Sequence, residues 1–306
     1  MTHVVQTPPA VAAARERDRD HSGVLASLAV LFKLRVVMLL LFAALGGAML
    51  GSGGAPSLGE LALLAVTGTL SAAGASALNQ YVERFKDAGM KRTRRRPLVT
   101  GQYNATVVFA VASGMIAVSL LLALLAGNPP LAVFLGLGAF IYVGIYTIWL
   151  KPRSVWNVVI GGAAGSAAVL SGGAAVGAWS DPGVIVLSLL LFTWSPIHFW
   201  ALSLAYRADY ARAGVPMLPV VTSPRWSIFW MVAHAIATGA FGLLLGLDGA
   251  LGLLYLVPVI PSTAWLLIES ARLIRDYTGP RAMSVFKVSN IYLSLVLLAV
   301  VFATLI

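Results

Sequence analysis

The sequence predicts an all-α polytopic membrane bundle of nine transmembrane helices, and three observations carry that prediction. Of its 306 residues 59% are hydrophobic and only 10% charged, whereas a soluble domain carries roughly a quarter charged residues. Its apolar runs approach about twenty residues, the length that crosses a hydrocarbon core, and they do not alternate as barrel strands would. Its 21 Lys+Arg residues, set against 11 Asp+Glu for a net charge of +10, all fall on one side of the predicted membrane. So little solvated surface remains that nucleic acid does not explain the basicity. The absence of cysteine excludes a disulfide framework, a thiolate nucleophile and a Cys-ligated metal.

Residues 1–25 are polar, Pro/Ala-rich and of mixed charge, and predict a disordered tail; their acidic residues argue against a transit peptide. Residues 26–306 predict one membrane domain. Apolar spans are expected at 30–50, 58–79, 104–126, 131–149, 155–176, 184–205, 226–246, 250–270 and 289–306. The first span starts too late, and is followed by too many others, to be a cleaved signal peptide. The tail and first span entry hold Arg15, Arg17, Arg19, Lys33 and Arg35, and the second connection holds Arg84, Lys86, Lys91, Arg92, Arg94, Arg95 and Arg96. The fourth has Lys151 and Arg153, the sixth Arg207, Arg212 and Arg225, and the eighth Arg272, Arg275, Arg281 and Lys287. Connections 51–57, 127–130, 177–183 and 247–249 carry none. The positive-inside rule then predicts that the N-terminus and the basic connections face the cytoplasm or its topological equivalent, with the C-terminus opposite; the expected location is a bacterial inner (plasma) membrane, with a periplasmic C-terminus.

Acids are scarce, and Glu83, Asp87 and Asp209 lie just beyond the cytoplasmic ends of apolar helices, where each needs a partner, water or a cation. Asn79, Glu83 and Asp87 are spaced by four and share one face if the second helix continues; successive side chains stand roughly 6 Å apart. Two carboxylates and an amide oxygen suit Mg²⁺, leaving positions for water and phosphate oxygens. The alternative is an interfacial helix end salt-bridged to its own Arg84, Lys86 and Lys91. The following Lys91, Arg92, Arg94, Arg95 and Arg96 supply donors for a diphosphate or for anionic lipid headgroups. The sixth connection repeats this chemistry in reduced form with Tyr206, Arg207, Asp209, Tyr210 and Arg212, then a turn stiffened by Pro216 and Pro219. The two motifs sit at matching points of an approximate internal repeat, so they are expected to face each other across one substrate, with the catalytic side at the cytoplasmic face.

The run Asn79-Gln-Tyr-Val-Glu83-Arg-Phe-Lys-Asp87-Ala-Gly-Met90-Lys-Arg92-Thr93-Arg-Arg-Arg96-Pro97-Leu98 resembles the first aspartate-rich motif of the UbiA superfamily of intramembrane prenyltransferases. Its NxxxExxxDxxMxRTxxRPL form is similar to that of the haem-farnesylating subfamily. Tyr206 to Pro219 resembles the second motif, and Ser195-Pro196-Ile-His198-Phe199-Trp200 and Tyr146 to Lys151 are similar to two further blocks, with Asn157 and Gly161-Gly162 after them. The resemblance spans Phe32 to Ile306. The second motif departs from it by holding one acid, with Ala208 where relatives often place another acidic or polar residue; a second carboxylate four residues after Asp209 is also missing, that place being Ala213, which leaves one or two metal ions open.

The resemblance implies a UbiA-type fold and Mg²⁺-dependent transfer of a farnesyl group from farnesyl diphosphate to a vinyl group of haem B, with water addition, giving haem O. Asn79, Glu83, Asp87 and Asp209 would be the catalytic, metal-holding residues. Lys91, Arg92, Arg96 and Arg207 would bind the diphosphate. His198, Tyr206 and Tyr146 would contact the haem acceptor, and Tyr81, Tyr146 or Tyr206 would face the allylic cation. Weaker candidates for phosphate or propionate contacts are Lys33, Arg35, Lys287 and Asn290, whereas His234 reads as a packing residue. Implied partners are the bilayer, farnesyl diphosphate, haem B (as substrate), and haem A synthase or a terminal oxidase assembly downstream. Two other readings stay open: a UbiA-type enzyme acting on an aromatic acid or quinone precursor, and a transporter. The transporter predicts broken helices with polar residues at mid-membrane, whereas here acids and arginines gather at one face.

Overall fold

The computed structural model describes residues 23–306. Residues 1–22 of the predicted tail lie outside the described residues; residues 23–25 are already helical, so the folded part begins before residue 26. Helix α1 (23–31) is short, and its Leu28 and Leu31 pack with Ala77, Leu98 and Val108, which is why the chain is ordered there. The spans follow as α2 (Leu34–Gly51), α3 (Leu58–Asp87) and α4 (Ala105–Leu125), then α5 (Pro129–Phe140), which continues as a π-helix over Ile141–Leu150. A broken pair, α6 (Asn157–Gly161) and α7 (Ala163–Ala175), makes the fifth crossing and α8 (Pro182–Ala205) the sixth. After the short α9 (Arg207–Arg212) and α10 (Leu218–Val221) come α11 (Pro224–Leu245), α12 (Gly252–Arg275) and α13 (Gly279–Leu305). Among the described residues there are nine spans long and apolar enough to cross a membrane, and no strand.

Helix starts are set by local chemistry. Ser57 and Glu60 form a reciprocal capping box on α3. Asn104, Asn128, Asp181 and Ser223 cap α4, α5, α8 and α11 through side-chain oxygens. Glu60 and Asp181 are thereby accounted for as end caps. Two helices outrun their apolar stretches furthest: α3 extends eight residues past 79, and α13 begins ten residues ahead of 289. Hydrophobicity marks the hydrocarbon thickness, whereas these helices continue into the polar layer, where Arg281 and Ser284 of α13 bind Glu269 of α12.

Successive spans neighbour one another, and α13 returns to α2 while also packing on α8 and α12, closing the bundle. In lipid the association rests on close packing of small residues. At the α2–α7 crossing, a Cβ on Gly172 would stand 1.7 Å from the Ala44 carbonyl oxygen, and one on Gly47 would stand 2.2 Å from that of Val169. The two backbones touch through reciprocal glycines. Gly172→Ala should therefore destabilise the protein by about 1–3 kcal/mol, read as a lowered unfolding midpoint in lipid nanodiscs. Gly114→Ala, whose added Cβ meets nothing within 4 Å, should leave that midpoint unchanged or slightly raised.

Candidate active site

Because α3 runs on to Asp87, Asn79, Glu83 and Asp87 share one face, and all three are buried. A buried acid at the membrane needs a counter-charge or hydrogen bonds, and each receives one from outside its own helix. Glu83 Oε1 pairs with Lys151 Nζ, just past the π-helix. Asp87 Oδ2 accepts from Arg96 Nη1 at 2.6 Å. Asn79 Oδ1 accepts from Lys33 Nζ at 2.5 Å, while its Nδ2 donates to Glu83 Oε2 at 3.1 Å and Thr147 Oγ1 at 3.0 Å. Arg84, Lys86 and Lys91 pair with neither acid among the described residues. A simple helix end neutralised by its own neighbours is thus not what the chain builds.

Lys33 sits in the break between α1 and α2 at φ 50°, the single non-glycine residue at positive φ among those described. Gln80 braces that break, its Nε2 donating to the Val30 and Leu31 carbonyls at 2.6 and 2.9 Å. The Lys33 ammonium turns inward and also donates to Tyr142 Oη at 2.8 Å. Burial, reinforced by the Arg96 charge and opposed by Glu83, pulls its pKa down to about 7.

The π-helix determines which side chains meet this face. In an α-helix, at about 100° per residue, Lys151 would stand about 180° from Tyr142. With i→i+5 pairing and about 4.4 residues per turn, the π register brings Tyr142, Tyr146, Thr147 and Lys151 within an arc of roughly 80°. The Tyr142 and Tyr146 rings stack at 5.9 Å, and Lys151 Nζ lies 5.5 Å from the Tyr146 ring centre.

The loop after α3 is anchored letter by letter. Thr93 Oγ1 donates to the Asp87 carbonyl at 3.0 Å, closing the end of α3. Met90 is buried in one cluster with Tyr210, Val215, Met217 and Leu218 of the second motif. Leu98 is buried beside Ala77 and Val108. The two motif loops thus share a core and flank a cleft of about 440 Å³ lined by Lys91, Arg92, Ala205, Tyr206, Ala208 and Asp209. The expected facing of the motifs is present in Lys91 and Arg92 opposite Tyr206 and Asp209. Asp209 is buried and ion-paired with Arg212 one turn on. Among the described residues it does not join Glu83 and Asp87 in one three-acid group; α9 pairs it with its own cation. Arg207 is exposed and outside the cleft lining.

His198 lies in the core, stacked on Trp194 at 4.3 Å, with Nδ1 3.0 Å from Ser289 Oγ; a contact with an acceptor is left to Nε2. His234 packs edge-on against Trp200 at 5.4 Å. Tyr81 packs at a tilt against Phe109, Arg35 and Lys287 are exposed, and Asn290 bonds the Phe286 carbonyl of its own helix. Sequence reasoning missed Tyr142 and assigned no role to Thr147 within the Tyr146–Lys151 block; the π register aligns the two. It also missed the buried state of Glu269, held by Arg272, Arg281 and Ser284.

The UbiA prenyltransferase family matches residues 39–300. The protoheme IX farnesyltransferase 2 of Paramagnetospirillum magneticum is 42% identical over 276 residues, covering 89% of this chain and 95% of that protein. The protoheme IX farnesyltransferase of Sulfurisphaera tokodaii is 42% identical over 280 residues, covering 90% and 92%. Among solved structures, a digeranylgeranylglyceryl phosphate synthase superposes with a TM-score of 0.78 at 17% identity, covering 92% of this chain and 98% of that one. A UbiA homolog from Archaeoglobus fulgidus bound to DMAPP and Mg²⁺ gives 0.63 at 17% identity, covering 90% and 99%. From these matches along almost all of its spans, the chain belongs to the UbiA prenyltransferase family.

Proposed function

We propose that the chain transfers a farnesyl group from farnesyl diphosphate to a vinyl group of haem B, with addition of water, giving haem O and diphosphate. The observation that carries the reading is the buried Asn79–Glu83–Asp87 face, ringed by Lys33, Lys151 and Arg96, in a chain 42% identical to relatives named for that reaction. These residues present hard oxygens on one buried face of α3, so they fit Mg²⁺. Asn79, Glu83 and Asp87, with Asp209 across the cleft, would hold one or two ions, which when bound offset the charge gathering on the diphosphate.

The chain's own residues do the rest. Lys91, Arg92 and Arg96 donate to diphosphate oxygens, and Arg207 joins them from the rim. As the allylic C–O bond breaks, its electron pair leaves with the diphosphate and positive charge develops on the farnesyl carbon. The Tyr146 ring face, with Tyr206 at the mouth, stabilises that charge. The vinyl carbon then forms the new C–C bond; water adds to the porphyrin-side cation and gives up a proton. The apolar bundle keeps water from the farnesyl cation beforehand. The Lys- and Arg-bearing side, and with it the cleft, faces the cytoplasm of a bacterial plasma membrane. There the product is available to haem A synthase or a terminal oxidase assembly.

Membranes containing the protein, given farnesyl diphosphate, Mg²⁺ and haem B, should yield haem O by mass spectrometry and no product with 4-hydroxybenzoate; the reverse outcome refutes the acceptor. Asp87→Asn should lower turnover about 10²–10³-fold, with helicity and membrane content unchanged by circular dichroism and immunoblot. A C-terminal alkaline phosphatase fusion should be active, and a C-terminal green fluorescent protein fusion dark; the opposite pattern would invert the orientation.

A further inference from the structure

We infer that Thr147 is a positioning residue that fixes which way round the Asn79 amide sits, so that Asn79 offers oxygen rather than N–H to a bound cation. The inference rests on the metal-assisted reading above. An amide presents an acceptor on one side and two donors on the other, and a half-turn exchanges them. Three partners hold Asn79 in its observed sense. Lys33 can only donate, and it faces Oδ1 at 2.5 Å; the Glu83 carboxylate can only accept, and it faces Nδ2 at 3.1 Å. The Thr147 hydroxyl has one hydrogen, committed to the Tyr142 carbonyl at 2.7 Å, so toward Asn79 Nδ2 at 3.0 Å it can only accept.

Only the last of these constraints survives cation binding. A divalent ion beside Oδ1 repels the Lys33 ammonium and draws on the Glu83 oxygens as ligands. Thr147 is neutral, buried and tied to main chain, so its claim on Nδ2 is unaltered. The π register makes this possible. Within α-helices of this chain Thr67, Thr193 and Thr238 bond the carbonyl four residues back. Thr147 reaches the one five back, which swings its oxygen onto the face that meets Asn79.

The test measures metal binding without turnover. The purified full chain in nanodiscs, with no haem present, is titrated with Mn²⁺ and free ion is followed by electron paramagnetic resonance. Thr147→Val, equal in shape but without the hydroxyl, should raise the Mn²⁺ Kd roughly 10–100-fold, the usual cost of losing a residue that orients a ligand. Thr147→Ser should stay near wild type, and the farnesyl diphosphate KM at saturating Mn²⁺ should move far less than the Mn²⁺ Kd. A folded Thr147→Val protein that binds Mn²⁺ like wild type, or a Thr147→Ser protein as weak as Thr147→Val, overturns the positioning role and leaves the metal reading intact. A wild-type chain that binds no Mn²⁺ removes the metal reading, and the inference with it.

Discussion

The constraint on which the rest of the structure turns is the burial of negative charge at the end of α3. A carboxylate taken out of water at the membrane costs several kcal/mol unless its oxygens are matched by cations and donors. Glu83 and Asp87 are both buried within one turn of each other, so the repulsion between them adds to that cost. Neither is neutralised along its own helix. Lys151 is brought over by the π-helix, Arg96 by the loop that folds back from Met90, and Lys33 by the left-handed break before α2. Three departures from regular helix, in three separate places, serve one patch. A rule-breaking backbone is retained where something over-determines it, and here the buried acids do so.

This accounts for how much could be read in advance. Spans, charge sidedness and the shared face of Asn79, Glu83 and Asp87 follow from periodicity and composition, which are local properties. The identity of the cations did not, because it depends on which segments of distant sequence arrive at α3. Lys151 illustrates the limit: counted at 3.6 residues per turn it points away from Tyr142 and Tyr146, and only a π register puts it with them. Thr147 lies inside the Tyr146–Lys151 block, but nothing in that block says which way its hydroxyl points. The late prediction of α13 fails for a different reason, since its first ten residues are held by polar contacts to α12 that hydropathy does not register.

The letters that carry the family resemblance divide in the same way. Some face the cleft, as Lys91, Arg92 and Asp209 do. Others never touch it: Met90, Met217 and Leu218 are buried together, Thr93 closes α3, and Leu98 seats the loop on α3 and α4. The two motifs are therefore coupled through a shared apolar core as well as through a common ligand. Their spacing across the cleft is set by close-packed side chains, which resist small displacements.

Charge balance at this end of the bundle leaves an excess of positive charge. Glu83, Asp87 and Asp209 are matched one to one by Lys151, Arg96 and Arg212. That leaves Lys33, Lys91 and Arg92 without a carboxylate among the described residues. Burial is the main cause of the depressed pKa of Lys33, and the neighbouring Arg96 charge adds to it. A diphosphate relieves the surplus directly.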